Sequence, residues 1–174
     1  MTIKHTDITL EKLKQFLDLD LETYTFTWKY NPTMRPQWNG RNAGMRAGYN
    51  NKAGGIQIFF DGVKYKAHHL VWLWVYGKLP EKDIDHKDGN PLNNHPDNLR
   101  EATITENARN KKRGINNKSG AKGVWYCKER NKYEVKIKVY GKHHFLGRYN
   151  SLEKAKAVYE KAAKFYFGEF ARVA

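Results

Sequence analysis

The stretch DIDHKDGNPLNNHPDNLREATITENARN, residues Asp83 to Asn110, decides how this chain is read. Ile84-Asp85-His86 predicts a short strand, and Lys87 to Asp97 is a loop crowded with Asp, Gly, Asn and Pro. Asn98 to Ala102 returns as a second strand. Thr103-Ile104-Thr105-Glu106 fits a capping box, so a helix starts at Thr103 and Asn107 lies just inside it. Strand, loop, strand and helix follow one another within this one stretch.

Asp85, His86 and Asn107 are the chemistry-bearing residues of the stretch. A carboxylate and an amide carbonyl are hard oxygen donors, suited to Mg²⁺ or Mn²⁺ rather than to zinc. A neutral imidazole can take a proton from water at physiological pH. Hydrolysis of a phosphodiester needs an activated water, a cation beside the phosphate and accurate positioning, and this set would supply them. Neighbours on a regular strand point to opposite faces, so Asp85 and His86 can serve one phosphate only if the strand ends or twists there. Taken by themselves, Asp88-Gly89-Asn90 also read as a tight turn capped by Asp85.

Upstream, Thr9 can cap a short amphipathic helix to about Phe16, with Leu10, Leu13, Phe16 and Leu17 on one face. Tyr24, Phe26, Trp28 and Tyr30 alternate with polar residues, which predicts a strand with an aromatic face. Residues Asn31 to Asn51 read as a long loop in which Arg35, Arg41 and Arg46 could meet phosphates or simply face water. Ile56 to Phe60 and Val63 to Ala67 flank Asp61-Gly62, a favoured hairpin turn. His68 to Tyr76 is an apolar helix stopped by Gly77, with Pro80 beyond. On that helix His68 reads as a packing residue; His5 and His95 read as surface residues, and Asn93 and Asn94 as loop-shaping ones.

Downstream, Lys111 to Gly120 is a basic connector that includes Lys111, Lys112 and Arg113 and can run along a nucleic-acid backbone or lie in solvent. Gly123 to Lys128, Tyr133 to Tyr140 and His143 to Tyr149 predict three strands, and Ser151 caps a final helix. Tyr133, Val135, Ile137 and Val139 form an apolar row suited to that helix, while Glu134, Lys136 and Lys138 form the opposite row. The reading is therefore α+β: residues 1–110 as one domain with the motif at about 83–113, a linker at 111–120, and a small three-stranded antiparallel sheet packed by one helix at 121–174.

Composition narrows the partners. Among 174 residues, 32 Lys and Arg face 18 Asp and Glu, a formal charge of +14, which points to a polyanion. The single cysteine, Cys127, allows neither an internal disulfide nor a thiolate zinc cluster. No signal-peptide core is evident, and the most apolar stretch, Leu70 to Tyr76, is too short to span a membrane. An intracellular, cytoplasmic protein is the expectation.

The string from Ile84 to Asn90, with Asn93-Asn94, Asn98-Leu99-Arg100, Thr103 and Glu106-Asn107, resembles the ββα-metal site of phage and intron HNH homing endonucleases. His68 to Trp72 is similar to that family's lead-in to the site. The resemblance implies one divalent metal, Mg²⁺ or Mn²⁺, held by Asp85 and Asn107, with His86 as general base and Asn98 bracing the loop. Asn107 stands where the HNH letters lead one to expect histidine, in agreement with the homing branch. Ser119-Gly120, Gly123-Val124, Leu146-Gly147 and the helix through Phe167-Gly168 resemble the plant ethylene-response-factor (Apetala-type) DNA-binding domain. That likeness implies a sheet laid in the major groove of double-stranded DNA, with Trp125, Cys127, Lys136, Lys138, His143, Phe145 and Arg148 at matching positions. Trp125 and Cys127 replace arginines common in the plant domains, so the plant target does not transfer. The implied protein is a monomeric, phage-type, sequence-directed DNA endonuclease. Two alternatives stay open: a non-catalytic DNA-binding regulator that retains the site, and an RNA-binding protein.

Overall fold

The structure, a computed structural model, describes residues 8–52, 54–111 and 117–172. It is an α+β protein in two compact units, Met1–Ala102 and Thr103–Ala174. The division falls between the second strand and the helix of the decisive stretch, ahead of the basic connector. Lys112 and Arg113, like His5, lie outside the described residues. Among the described residues no helix is long and apolar enough to cross a membrane.

The first unit begins with α1 (Leu10–Phe16), whose N-terminus is capped by Thr9 Oγ1 accepting from Lys12 N at 3.2 Å. The aromatic strand is shorter than its alternation suggests. Only β2 (Phe26–Trp28) is extended, antiparallel to β1 (Leu17–Leu19), because Tyr24 sits at φ +50 in a turn. The long loop also needs correcting, since it contains a helix, α2 (Pro36–Asn42), and β3 (Tyr49–Asn50). Pro36 opens α2 at a position that needs no N–H donor. An asparagine clasp then holds it: Asn31 N donates to Asn39 Oδ1 (3.0 Å), and Asn39 Nδ2 donates to Asn31 O (2.8 Å). Both asparagines are buried, so polar pairing takes the place of the apolar stripe that would have announced a helix.

β3 joins β4 (Ile56–Phe60) and β5 (Val63–Lys66) in an antiparallel sheet. Asp61 and Gly62 between β4 and β5 have φ of +53 and +74, the double left-handed conformation of a tight hairpin turn. α3 (Ala67–Tyr76) follows and ends on Gly77 at φ +73. Leu13, Leu17, Phe26, Ile58, Leu70 and Val71 form the fully buried centre, and Ile84 and Leu99 carry this core to the last strand pair. That pair is β6 (Asp83–His86) and β7 (Leu99–Ala102), antiparallel.

The second unit opens with α4 (Ile104–Asn110). Both halves of its capping box are made: Thr103 Oγ1 accepts from Glu106 N (3.2 Å), and Glu106 Oε2 accepts from Thr103 N (2.8 Å). Further along α4, the Arg109 guanidinium lies 4.8 Å from the Phe167 ring centre, and Lys122 Nζ donates to Arg109 O at 2.6 Å. β8 (Val124–Cys127), β9 (Lys132–Val139) and β10 (Lys142–Tyr149) form one antiparallel sheet with β9 in the middle. α5 (Leu152–Phe167), capped by Ser151, packs Ala155, Tyr159 and Ala163 onto Val124, Val135, Ile137 and Val139.

Candidate active site

β6 stops at His86, and Ile84, Asp85 and His86 are all buried. Asp85 stands opposite Arg100 in the register of β6 and β7. Arg100 Nη2 and Nε donate to Asp85 Oδ2 at 2.8 and 3.0 Å. In the following turn, Asp88 Oδ1 accepts from Asn90 N at 2.7 Å.

His86 turns toward the loop and α3. Its Nε2 donates to Asn94 Oδ1 at 3.2 Å, and the His68 ring meets it edge-on with centres 4.9 Å apart. With Nε2 donating, Nδ1 is the basic nitrogen of the neutral ring. Burial and the neighbouring histidines push His68 down to about 2, so it stays neutral beside His86. Asn94 is buried to 3% exposure, which makes it more than a loop-shaping residue. Arg100 and Asn94 both stand in the string that carries the family resemblance, but the sequence reading gave Arg100 no role and Asn94 only a loop-shaping one. Each becomes visible once the partner strand or the loop closure is known.

The loop between β6 and β7 is held by side chains. Asn98 Oδ1 accepts from Asp88 N (3.0 Å), while its Nδ2 donates to Asp88 Oδ1 (3.0 Å) and Asn93 O (2.8 Å). Asn93 Nδ2 donates to Asp88 Oδ2 at 2.8 Å. Burial alone would raise the Asp88 carboxyl, but hydrogen bonds from Asn90, Asn93 and Asn98 outweigh it and hold the group below the usual carboxylate range. The loop is thus built around one ionised aspartate with its acceptors filled.

The remaining expected ligand, Asn107, lies on the first turn of α4 in the second unit and is half-buried. Among the described residues no three His, Cys, Asp or Glu side chains gather as a metal cluster. The donor chemistry at β6 still fits a hard divalent ion. A buried carboxylate there already takes a cation as its neighbour, and Mg²⁺ commonly binds through one or two carboxylates plus phosphate oxygens and water.

The sheet of the second unit presents a second candidate surface. The register places Trp125, Glu134 and Arg148 in one row across the three strands, Lys136 beside Phe145, and Lys138 beside His143. With Cys127 they share the face away from α5. Simple alternation from His143 and Phe145 would send Arg148 to the other face. A bulge between Phe145 and Gly147 shifts the register, and Arg148 joins the exposed face. Lys136 Nζ lies 4.5 Å from the Trp125 ring centre, and the Arg148 guanidinium 5.0 Å from that of Phe145. Lys111 is exposed at the end of α4, and Arg35, Arg41 and Arg46 are exposed in the first unit.

Comparison with known proteins gives consistent matches. The HNH endonuclease family profile matches residues 65–109, from the end of β5 through most of α4. Protein 3.8 of Escherichia phage T7 is 39% identical over 112 residues, covering 62% of this chain and 92% of that protein. An uncharacterized HNH endonuclease, L560, of Acanthamoeba polyphaga mimivirus is 34% identical over 119 residues, which is 67% of this chain and 61% of the viral protein. No solved structure gives a significant match.

Proposed function

We propose, because residues 65–109 match the HNH endonuclease family and an HNH-named viral protein is similar to this chain, that it hydrolyses phosphodiester bonds in double-stranded DNA with one divalent metal ion. The observation that carries this reading is the end of β6, where a buried, cation-paired carboxylate at Asp85 directly precedes an imidazole oriented by Asn94. His86 Nδ1 takes the proton of the attacking water, and Asn94 fixes the tautomer that leaves this nitrogen basic. Asp85 and, by its place in the family pattern, Asn107 hold the metal, Mg²⁺ or Mn²⁺. When bound, the ion supplies positive charge for the phosphate and the leaving oxygen. Asn98 keeps the loop closed through Asp88 and so holds His86 against the second strand.

The second unit serves as the DNA-holding part, an ethylene-response-factor-type sheet whose exposed face carries Lys136, Lys138, His143, Arg148, Trp125, Phe145 and Cys127. Lys111 to Arg113 add cationic backbone contacts. A phage homing nuclease acting as a monomer is the specific form of this proposal.

The test incubates supercoiled phage or plasmid DNA with the purified chain and Mg²⁺ or Mn²⁺. Metal-dependent nicking that EDTA stops and His86→Ala reduces by roughly two to four orders of magnitude is the expected result. Equal cutting by His86→Ala removes the histidine from the base role. Duplex binding without cutting in any divalent metal favours the regulator.

A further inference from the structure

On the exposed face of the second sheet, one acidic side chain sits among the cations. Glu134, in the middle of β9, is 7% exposed, whereas Arg148 beside it keeps 42% of its side chain in solvent. Arg148 Nε donates to Glu134 Oε1 at 2.7 Å, and Arg130 Nη1 lies 3.6 Å from the same oxygen. The hydrogen bond from Arg148, opposed by burial and aided by the charges of Arg148, Arg130 and Lys136, holds the Glu134 carboxyl below its usual range. The guanidinium also stacks against Phe145.

The pairing has two consequences. It fixes the guanidinium plane, with Nε bound beneath and an aromatic ring at its side, so the two Nη groups remain as a paired outward fork. No described residue accepts a hydrogen bond from either Nη. It also offsets the charge of Arg148 with a carboxylate in contact, which weakens the attraction of this arginine for phosphate. Phosphate attraction depends on net charge, whereas bidentate recognition of a base edge depends on fork geometry. A neutralised and oriented guanidinium is better suited to the second task. Lys138, exposed two rows further along the sheet, has the opposite profile: a point charge with no carboxylate attached among the described residues.

We propose that Arg148 is a specificity-determining residue that selects guanine through its O6 and N7 in the major groove, with Glu134 and Phe145 as its positioning residues. This rests on the reading of the sheet as a duplex-DNA surface. Lys136 and Lys138 then supply the sequence-independent part of binding.

The experiment selects duplexes from a randomised DNA library with the full chain in EDTA, which suppresses cutting, and compares wild type with Arg148→Lys, Glu134→Gln and Lys138→Ala. Circular dichroism melts of each variant confirm that it is folded. The expected wild-type result is a recognised sequence with a guanine position that Arg148→Lys loses by about tenfold in preference. Glu134→Gln keeps or gains affinity for random duplex but loses preference at that same position, which a merely structural role would not produce. Lys138→Ala weakens all sequences alike and lowers the salt dependence by about one counterion. Uniform weakening of every sequence by Arg148→Lys, with preference intact, overturns the proposal. So does wild-type binding with no sequence preference, which leaves the nuclease reading standing. Failure of the wild type to retain any duplex overturns the DNA reading of the sheet as well.

Discussion

Arg100→Ala withdraws the cation from a carboxylate that has almost no access to water. Asp85 and Arg100 side chains are 5% and 10% exposed, and their closest contact is 2.8 Å. At that separation an effective dielectric of about 20 gives roughly 6 kcal/mol of attraction. Desolvation of both ions cancels much of this, so the net worth of the pair is small. Stranding one charge is a different matter, with a usual cost of about 3–5 kcal/mol. Asp85→Ala in the Arg100→Ala background removes the stranded charge, so the double variant should lose far less than the sum of the two singles. Urea denaturation of all four proteins in EDTA measures the coupling, expected at about 2 kcal/mol or more. Repeating the series with Mg²⁺ or Mn²⁺ adds a second reading. A divalent ion that settles beside Asp85 should stabilise Arg100→Ala by about 2.7 kcal/mol at a hundredfold excess over its Kd, and the wild type by less. Coupling within about 0.5 kcal/mol of zero would refute the argument and reduce Arg100 to a packing residue.

Asn94→Ala should slow DNA nicking by about tenfold or more while leaving duplex affinity within about twofold, since it removes the tautomer-fixing acceptor of His86 and no cation. Single-turnover nicking alongside gel-shift binding separates the two effects. His68 offers a pH test. Its folded value near 2 lies below the ordinary 6.5, so the unfolded chain takes up this proton first and stability falls as pH drops from about 6.5. His68→Phe should flatten that fall by up to about 1.4 kcal/mol per pH unit in urea melts at stepped pH. Gly123→Ala should destabilise the second unit by about 3 kcal/mol, judged by thermal melts. An added Cβ would stand 2.1 Å from the Tyr159 ring and 2.7 Å from Lys136 O, at φ +69.

Local signals account for most of the elements. Asp61-Gly62, the Gly77 stop, the Thr103/Glu106 box and the alternation of β9 each act within a few residues, and each element forms where its signal stands. The hidden parts depend on partners distant in sequence. β1 has no pattern of its own and exists because Phe26 to Trp28 pair with it. α2 is held by the Asn31–Asn39 clasp, which composition reads as loop. Arg148 reaches its face only through a bulge that no alternation rule anticipates. At the candidate site, the strand ending in Asp85-His86 is legible, whereas Arg100 and Asn94 become meaningful only after the register and the loop closure are fixed.

One device is used in both units, with different exposure. Asp85–Arg100 and Glu134–Arg148 are each a buried carboxylate hydrogen-bonded to an arginine on the neighbouring strand. In the first pair both partners are hidden, so the pair ties β6 to β7 inside the fold and the guanidinium has little surface to offer a ligand. In the second the carboxylate is hidden but the guanidinium is not, so the arginine is the group presented. Exchanging Arg for Lys should therefore act differently at the two places. At Arg100 it replaces a two-nitrogen contact with a point charge inside the fold and lowers stability. At Arg148 it leaves stability near its starting value and removes the fork, so the loss shows in which sequence is bound and not in how well the protein folds.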